Sequence, residues 1–236
     1  MSIADNIVQV RQAIGEACLR ASRSEHDVAL MAVSKTHPAA ALQEAYAAGI
    51  RLFGENKVQE FQQKSTELAV MPGARYALIG HLQSNKAAKA AELFHAIHAV
   101  DSLKIAERLN AVALKLGKTL SVLIEVKLSS EESKHGIAPG AVSEILHAAA
   151  SLPTLDIRGL MTVPPFSDDP EEARPYFRQL RELRNSLATV HPQTPLPELS
   201  MGMSHDFAVA IEEGSTCVRI GTAIFGTRDY TAQGRA

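Results

Sequence analysis

The sequence of 236 residues predicts an α/β fold, a closed (β/α)8 barrel with one extra helix at its N-terminus. Three observations support this. Eight short apolar or β-rich runs alternate with helix-like stretches, which indicates parallel strands joined by crossover helices. The length is close to the roughly 250 residues of such a barrel. The irregular stretches are only loop-sized, so residues 1–236 are expected to form a single domain.

The eight predicted strands are short runs bounded by turn and capping residues. They are 28–34, 51–53, 75–79, 96–100, 120–126, 156–163, 198–201 and 217–220. An amphipathic helix over about residues 2–22 precedes the first strand. An open, doubly wound sheet is the alternative. Its first turn usually carries G-x-G-x-x-G, whereas the first turn here reads SKTHP.

Composition excludes several classes of partner and location. The formal net charge is −2 and the pI is about 6.5, so no nucleic-acid partner is expected. No apolar run is long enough to span a bilayer, and the polar N-terminus has no signal-peptide core. The two cysteines, Cys18 and Cys217, make no disulfide framework. A cytoplasmic protein without a membrane partner is therefore expected.

The first strand ends on Lys35, where strand alternation places this lysine on the same face as Met31 and Val33. In a barrel, functional groups lie at the C-terminal ends of the strands. Desolvation favours the neutral amine, which is the form that attacks aldehydes to give Schiff bases. The alternative is a lysine with a buried stem and a solvated ammonium, and Lys35 taken alone favours that alternative.

Arg219 lies inside the otherwise apolar run CVRIG of the last strand. A guanidinium stays charged, so it requires an acceptor or an anion. A structural ion pair with a carboxylate such as Glu125 and a functional role are both consistent with the sequence.

The segments that follow the seventh and eighth strands resemble a phosphate site. They are Gly202-Met203-Ser204 and Gly221-Thr222, and Ser204 is a candidate N-cap of the next helix. Barrels often hold a phosphate on backbone N–H groups at these two positions. Ordinary capping and turn formation is the alternative.

No metal site is predicted. His95 and His98 are three residues apart but have no carboxylate companion, and Cys217 is expected in the core. An amine, a phosphate cradle and a neighbouring arginine together match pyridoxal 5′-phosphate (PLP), a phosphorylated aldehyde. A phosphorylated-sugar aldolase would need only the amine and the cradle.

Several long motifs resemble the pyridoxal 5′-phosphate homeostasis family, the YggS and PROSC type. They are AVSKTHP, FGENKVQE, ALIGHLQSNK, VLIEVKLSSEESKHGI, IRGLMTVPP and LSMGMSHDFAVAIEEGSTCVRIGTAIFGTRDY, and they extend from about residue 28 to residue 230. The resemblance implies a barrel of the alanine-racemase kind (PLP fold type III). It also implies a carrier that binds and hands over the cofactor.

The resemblance implies roles for individual residues. Lys35 would hold the cofactor as a Schiff base, Arg219 would face the pyridine nitrogen, and Asn56 would lie beside the ring. The implied cofactor-binding set, without catalytic or metal-binding residues, is Lys35, Asn56, Met203, Ser204, Arg219, Gly221 and Thr222. Many bacterial members have a lysine at the position of His37, so a relay through that lysine is in doubt here; Lys134 matches the family pattern.

A small PLP-dependent racemase or lyase is the alternative function. Racemases of this fold add a β domain and a second base, a tyrosine, and this chain is expected to have no room for that domain because it ends soon after the last strand. An arginine opposite the ring nitrogen also makes the ring a weaker electron sink, but racemases of this fold type tolerate that arginine, so it does not decide between the two functions. We therefore expect a monomeric carrier with transient apoenzyme partners.

Overall fold

The strands of the computed structural model, which describes residues 2–68, 70–131 and 135–226, close into a barrel in chain order. Each strand pairs in parallel with the next, and the last pairs with the first. The strands are β1 Ala29–Val33, β2 Leu52–Glu55, β3 Arg75–Leu78, β4 Ala96–Val100, β5 Leu120–Glu125, β6 Leu155–Met161, β7 Glu198–Met203 and β8 Cys217–Ile220. The predicted barrel is confirmed, and the open sheet is wrong.

The helices surround this barrel. They are α1 Ile3–Arg20, α2 Ala39–Ala47, α3 Val58–Ser65, α4 Ala87–Leu93, α5 Leu103–Lys115, α6 Val142–Ala148, α7 Arg174–Val190, α8 Phe207–Glu212 and α9 Thr222–Phe225. The extra helix α1 is the one predicted before the first strand. It starts with a capping box between Ser2 and Asp5. None of the helices in the described part of the chain is long and apolar enough to cross a bilayer.

Alternation along the strands divides the core into two layers. Leu30 and Ala32 of β1 pack outward among the helices, together with Val218 of β8. Met31 and Cys217 instead pack against each other inside the barrel. The predicted face of β1 is therefore the inner one, and it leads to Lys35 at the C-terminal mouth.

Candidate functional site

A cavity of about 470 Å³ opens at the C-terminal mouth of the barrel. This volume falls in the range of small-molecule sites. All the residues of the predicted cofactor-binding set line it: Lys35, Asn56, Met203, Ser204, Arg219, Gly221 and Thr222. The sequence did not single out the apolar and acidic wall that Val33, Ile79, Pro165, Phe166, Asp169 and Asp206 contribute.

A buried ionic network includes Ser34, the residue before Lys35. Lys64 of α3 donates from Nζ to Glu55 Oε1 at 2.7 Å and to the carbonyl oxygen of Ser34 at 2.9 Å. The Ser34 hydroxyl also donates to Glu55 Oε1, at 2.7 Å. Glu55 is 0% exposed and Lys64 is 7% exposed. The network therefore holds the end of β1 against the end of β2.

The turn after Lys35 is held by the same network. Thr36 has a φ of 68°, which is unusual for a β-branched residue. Its N–H donates to the Glu60 carboxylate, which lies 3.4 Å from Lys64 Nζ. The left-handed Thr36 is thus held by its hydrogen bond to Glu60 of α3, directly after the half-buried Lys35.

Burying the Glu55 carboxylate carries a desolvation cost. Burial raises its pKa, and the charge and hydrogen bond of Lys64 offset part of that rise. Its second carboxylate oxygen, Oε2, is buried and has no hydrogen-bond partner among the described residues. The sequence analysis missed this pair, because a glutamate at a strand end and a lysine in a helix nine positions later are common surface features.

Arg219 is 3% exposed and enters the cavity from β8. Its guanidinium donates to Ser200 Oγ and to the Thr162 carbonyl oxygen, both at 2.8 Å. In the described ranges no carboxylate lies within 4.0 Å of it, so the alternative of a direct ion pair with Glu125 is not observed. Burial lowers the pKa of Arg219, but a guanidinium remains charged.

Burial is the main cause of the shifted pKa values of three groups around Arg219. Burial, together with the Asp101 carboxylate, raises the pKa of Glu125 to about 7. Burial and the nearby guanidinium lower the pKa of His98 to about 3. Burial raises the pKa of Cys217 to about 11. At neutral pH His98 and Cys217 are uncharged, and Arg219 supplies the permanent charge.

Ser204 joins the loops that follow β7 and β8. Its Oγ accepts from the N–H groups of Gly221, at 3.2 Å, and Ala223, at 3.3 Å. The prediction that Ser204 caps the next helix is wrong. Asp206 is the N-cap of α8, and its Oδ1 accepts from the Met203 N–H at 2.6 Å. Ser204 therefore lies where N–H groups converge at the start of α9.

The two glycine positions of the cradle differ in their physical requirement. Gly202 has a φ of 93°, and an added Cβ would lie 2.6 Å from the Ala210 Cβ, so the fold itself requires glycine there. At Gly221 an added Cβ would meet Val33 only at 3.5 Å or more. Packing within the protein does not explain Gly221, whereas close approach of a ligand would.

Two further residues named from the sequence, His37 and His95, do not line this cavity. The ring of His37 stacks on Phe225 of α9, with centroids 4.8 Å apart. His95 accepts at Nδ1 from the Tyr76 N–H near the start of β3, so it is not paired with His98 in a metal cluster. Lys134 lies outside the described residues.

The arrangement places three kinds of group in one cavity. Lys35 supplies an amine, Arg219 a buried cation, and the segment around Ser204 a set of N–H and hydroxyl groups. An amine bonds an aldehyde, a cation faces an electron-rich ring atom, and N–H groups bind phosphate oxygens. The cavity thus fits a flat phosphorylated aldehyde.

Comparison with known proteins identifies the family. The family model for the alanine racemase N-terminal domain matches residues 3–229. The pyridoxal phosphate homeostasis protein of Aquifex aeolicus is 42% identical over 230 residues, covering 98% of this chain and 100% of its own. The corresponding protein of Pseudomonas aeruginosa is 46% identical over 231 residues, which are 98% of each chain.

Solved structures agree with this assignment. PipY of Synechococcus elongatus, crystallised with PLP bound, superimposes with a TM-score of 0.86 at 42% identity, covering 95% of this chain and 100% of PipY. Alanine racemase of Clostridium difficile gives a TM-score of 0.68 at 15% identity, covering 96% of this chain and 58% of the racemase, and shows the fold alone. The chain belongs to the pyridoxal phosphate homeostasis protein family and is built on the alanine racemase N-terminal barrel.

Proposed function

We propose that this chain binds PLP in the mouth cavity and acts in PLP homeostasis as a cofactor carrier, without enzymatic turnover. The observation that carries the proposal is that Lys35 and Arg219 line the same cavity at the C-terminal mouth of the barrel. The proteins of this family are named for pyridoxal phosphate homeostasis. PipY, a relative with 42% identity, has been crystallised with PLP. We also propose that residues 1–236 work as one domain and in the cytoplasm.

Lys35 is the residue that bonds the aldehyde of the cofactor in this proposal, as a Schiff base. Its position at the inner face of β1 directs it into the cavity, and the turn that follows is fixed by Glu60. A fixed tether reduces the entropy lost on bonding. PLP, when bound, supplies an electron sink, and the protein decides how strong that sink is.

In this proposal, Arg219 makes bound PLP a weak electron sink. It faces the cavity as a permanent cation, so with PLP bound it would donate to the pyridine nitrogen and disfavour protonation there. Ser200 and the Thr162 carbonyl hold two of its donors, which fixes the direction of the guanidinium plane. A weak sink suits storage of the aldehyde better than turnover of amino acids.

The phosphate end is assigned to Ser204, Gly221 and Thr222. The Gly221 and Ala223 N–H groups point at Ser204 Oγ, and phosphate oxygens accept from such groups. Asn56 and Met203 also line the cavity and would lie beside the bound ring. Apolar side chains such as Val33, Ile79 and Phe166 also line the cavity and would pack against a flat ring.

The carrier assignment is favoured over a racemase by the groups that line the cavity. Racemisation needs a base on one face of the ring and an acid on the other. Among the described lining residues, Lys35 supplies the only side-chain amine and none is a tyrosine. The other titratable lining groups have bonds of their own: His205 Nε2 with the Asp168 carbonyl oxygen, Asp169 with the Glu171 N–H and Asp206 with the Met203 N–H. The partners proposed for a carrier are apoenzymes that accept PLP from a monomeric donor.

An absorbance spectrum tests the cofactor assignment. After gel filtration removes unbound PLP, the wild-type protein should keep a visible aldimine band that Lys35→Ala lacks, because the Schiff base holds the cofactor on the protein. Lys89→Ala is the matched control, since Lys89 lies on exposed α4 in a surface pair with Glu92. A wild type without the band, or a Lys35→Ala variant that retains it, would overturn the assignment.

A second measurement separates carrier from enzyme. Common L-amino acids are incubated with the loaded protein, and racemisation or elimination is followed. Turnover near one per second, an ordinary enzyme rate, would refute the carrier. Faster reactivation of a PLP-requiring apoenzyme by the loaded protein than by its Lys35→Ala variant would support it.

A further inference from the structure

A cluster of two histidines and one aspartate lies at the mouth of the barrel, outside the cavity described above. His81 follows β3, Asp101 directly follows β4, and His135 lies in the segment between β5 and α6. Because β3, β4 and β5 are neighbours, their C-terminal ends form one rim. The residues proposed to bind the cofactor lie mainly on the opposite side of the same mouth, after β1, β7 and β8.

The three side chains already lie close together. His81 Nδ1 and Asp101 Oδ2 are 2.9 Å apart, and the rings of His81 and His135 stack with centroids 4.2 Å apart and 11° between planes. One ligand atom from each residue lies within 4.8 Å of the others. It is the one group of at least three such side chains found among the described residues.

We propose that His81, Asp101 and His135 bind one divalent transition-metal ion, and that this ion is Zn²⁺ because their ligand atoms suit it. Two imidazoles and one carboxylate form a common zinc ligand set that leaves a fourth position for water or a substrate. Imidazole favours Zn²⁺ and its neighbours over Ca²⁺ and Mg²⁺, which prefer oxygen ligands. The inference does not depend on the proposed PLP site.

Small side-chain movements complete the coordination. Ligand atoms around a tetrahedral Zn²⁺ lie about 3.3 Å apart, given bonds of about 2.0–2.1 Å. His135 is exposed and His81 is 38% exposed, so both rings can turn toward a common centre. On binding, His81 Nδ1 and Asp101 Oδ2, now 2.9 Å apart, would each bond the ion in place of their contact with one another.

A purely structural cluster is the competing explanation, and a second histidine pair provides its control. His147 and His191 also contact edge to face, with centroids 4.6 Å apart, and His191 hydrogen-bonds Ser143. No carboxylate completes a three-ligand group there among the described residues. Both cysteines of the chain are buried, so thiols do not compete for the ion.

The test is a titration of tag-free, cofactor-free full-length protein with ZnCl₂ by calorimetry and with CoCl₂ by visible absorption. We expect one equivalent of either metal and ligand-field bands of bound Co²⁺. His81→Asn, Asp101→Asn and His135→Asn should each lower the association constant at least about tenfold. His147→Asn, the matched control, should bind as wild type does.

Circular dichroism and thermal unfolding without metal establish that each variant is folded. If a variant fails to fold, the wild-type histidine ring NMR signals decide instead: Zn²⁺ must shift those of His81 and His135 and leave those of His147 in place. Equal affinity in wild type and all three variants, no saturable binding, or loss of binding in His147→Asn would each overturn the site.

Discussion

Replacing Lys64 by methionine should destabilise the fold more than any surface substitution. Methionine keeps the length and apolar stem of the lysine but leaves Glu55, which is 0% exposed, without its cation. The lost bonds are those to Glu55 Oε1 and the Ser34 carbonyl oxygen, at 2.7 and 2.9 Å. Removing one partner of a buried ion pair costs about 3–5 kcal/mol of unfolding free energy, and we expect this range.

The assay is guanidinium chloride unfolding of four proteins: wild type, Lys64→Met, Glu55→Gln and the double variant. The double variant should be more stable than Lys64→Met alone, because it buries no unpaired charge. Lys89→Met is the matched control. Lys89 and Glu92 form an exposed pair with 44% exposure on each side, so its loss should change stability by less than about 1 kcal/mol.

The effect of Lys64→Met should depend on pH with a defined sign. Burial raises the pKa of Glu55, and removal of the lysine takes away the larger opposing causes and leaves only the Ser34 hydrogen bond against that rise. A group with a raised folded-state pKa loses its contribution as pH rises through that pKa. The variant should therefore be closest to wild type in acid and weakest at alkaline pH. A loss below about 1 kcal/mol, strict additivity in the cycle, or a pH-independent loss would refute the reasoning.

Three further outcomes are expected. The pKa of Glu125 rises from 4.5 to about 7 on folding, so wild type should lose stability as pH rises, whereas Glu125→Gln should not. Since each pKa unit is worth about 1.4 kcal/mol, the unfolding free energy of the variant relative to wild type should increase by about 3 kcal/mol between pH 4.5 and pH 8. Unfolding titrations with a chelator present measure this, and parallel pH profiles would contradict it. Gly202→Ala should lower the free energy of unfolding by more than about 2 kcal/mol, because the added methyl overpacks against Ala210. Gly140→Ala is the control, since open space surrounds Gly140 and its stability should stay near that of wild type. Equal losses in the two variants would show that the contact with Ala210 does not matter. His37→Lys should remove the ring stacking on Phe225 of α9 and lower the free energy of unfolding by about 1 kcal/mol, which a fall of a few degrees in Tm would show. An unchanged Tm would show that the stacking contributes nothing to stability.

The sequence by itself determined the strand order and the main cavity groups. Periodic apolar runs are a local signal, and their alternation with helices left few topologies that could bury them. The fourth run, predicted at 96–100, is β4 residue for residue. Because parallel strands all end at the same mouth, the positions of Lys35 and Arg219 in their runs sufficed to place both side chains in one cavity.

Only the tertiary structure decided which polar groups meet. Glu55 finds Lys64 because α3 packs back over the end of β2, and Ser204 accepts from Gly221 because two loops cross. His81 and His135 are 54 positions apart and meet only through the order of strands around the barrel. Such contacts depend on barrel closure and helix packing, which no local periodicity encodes.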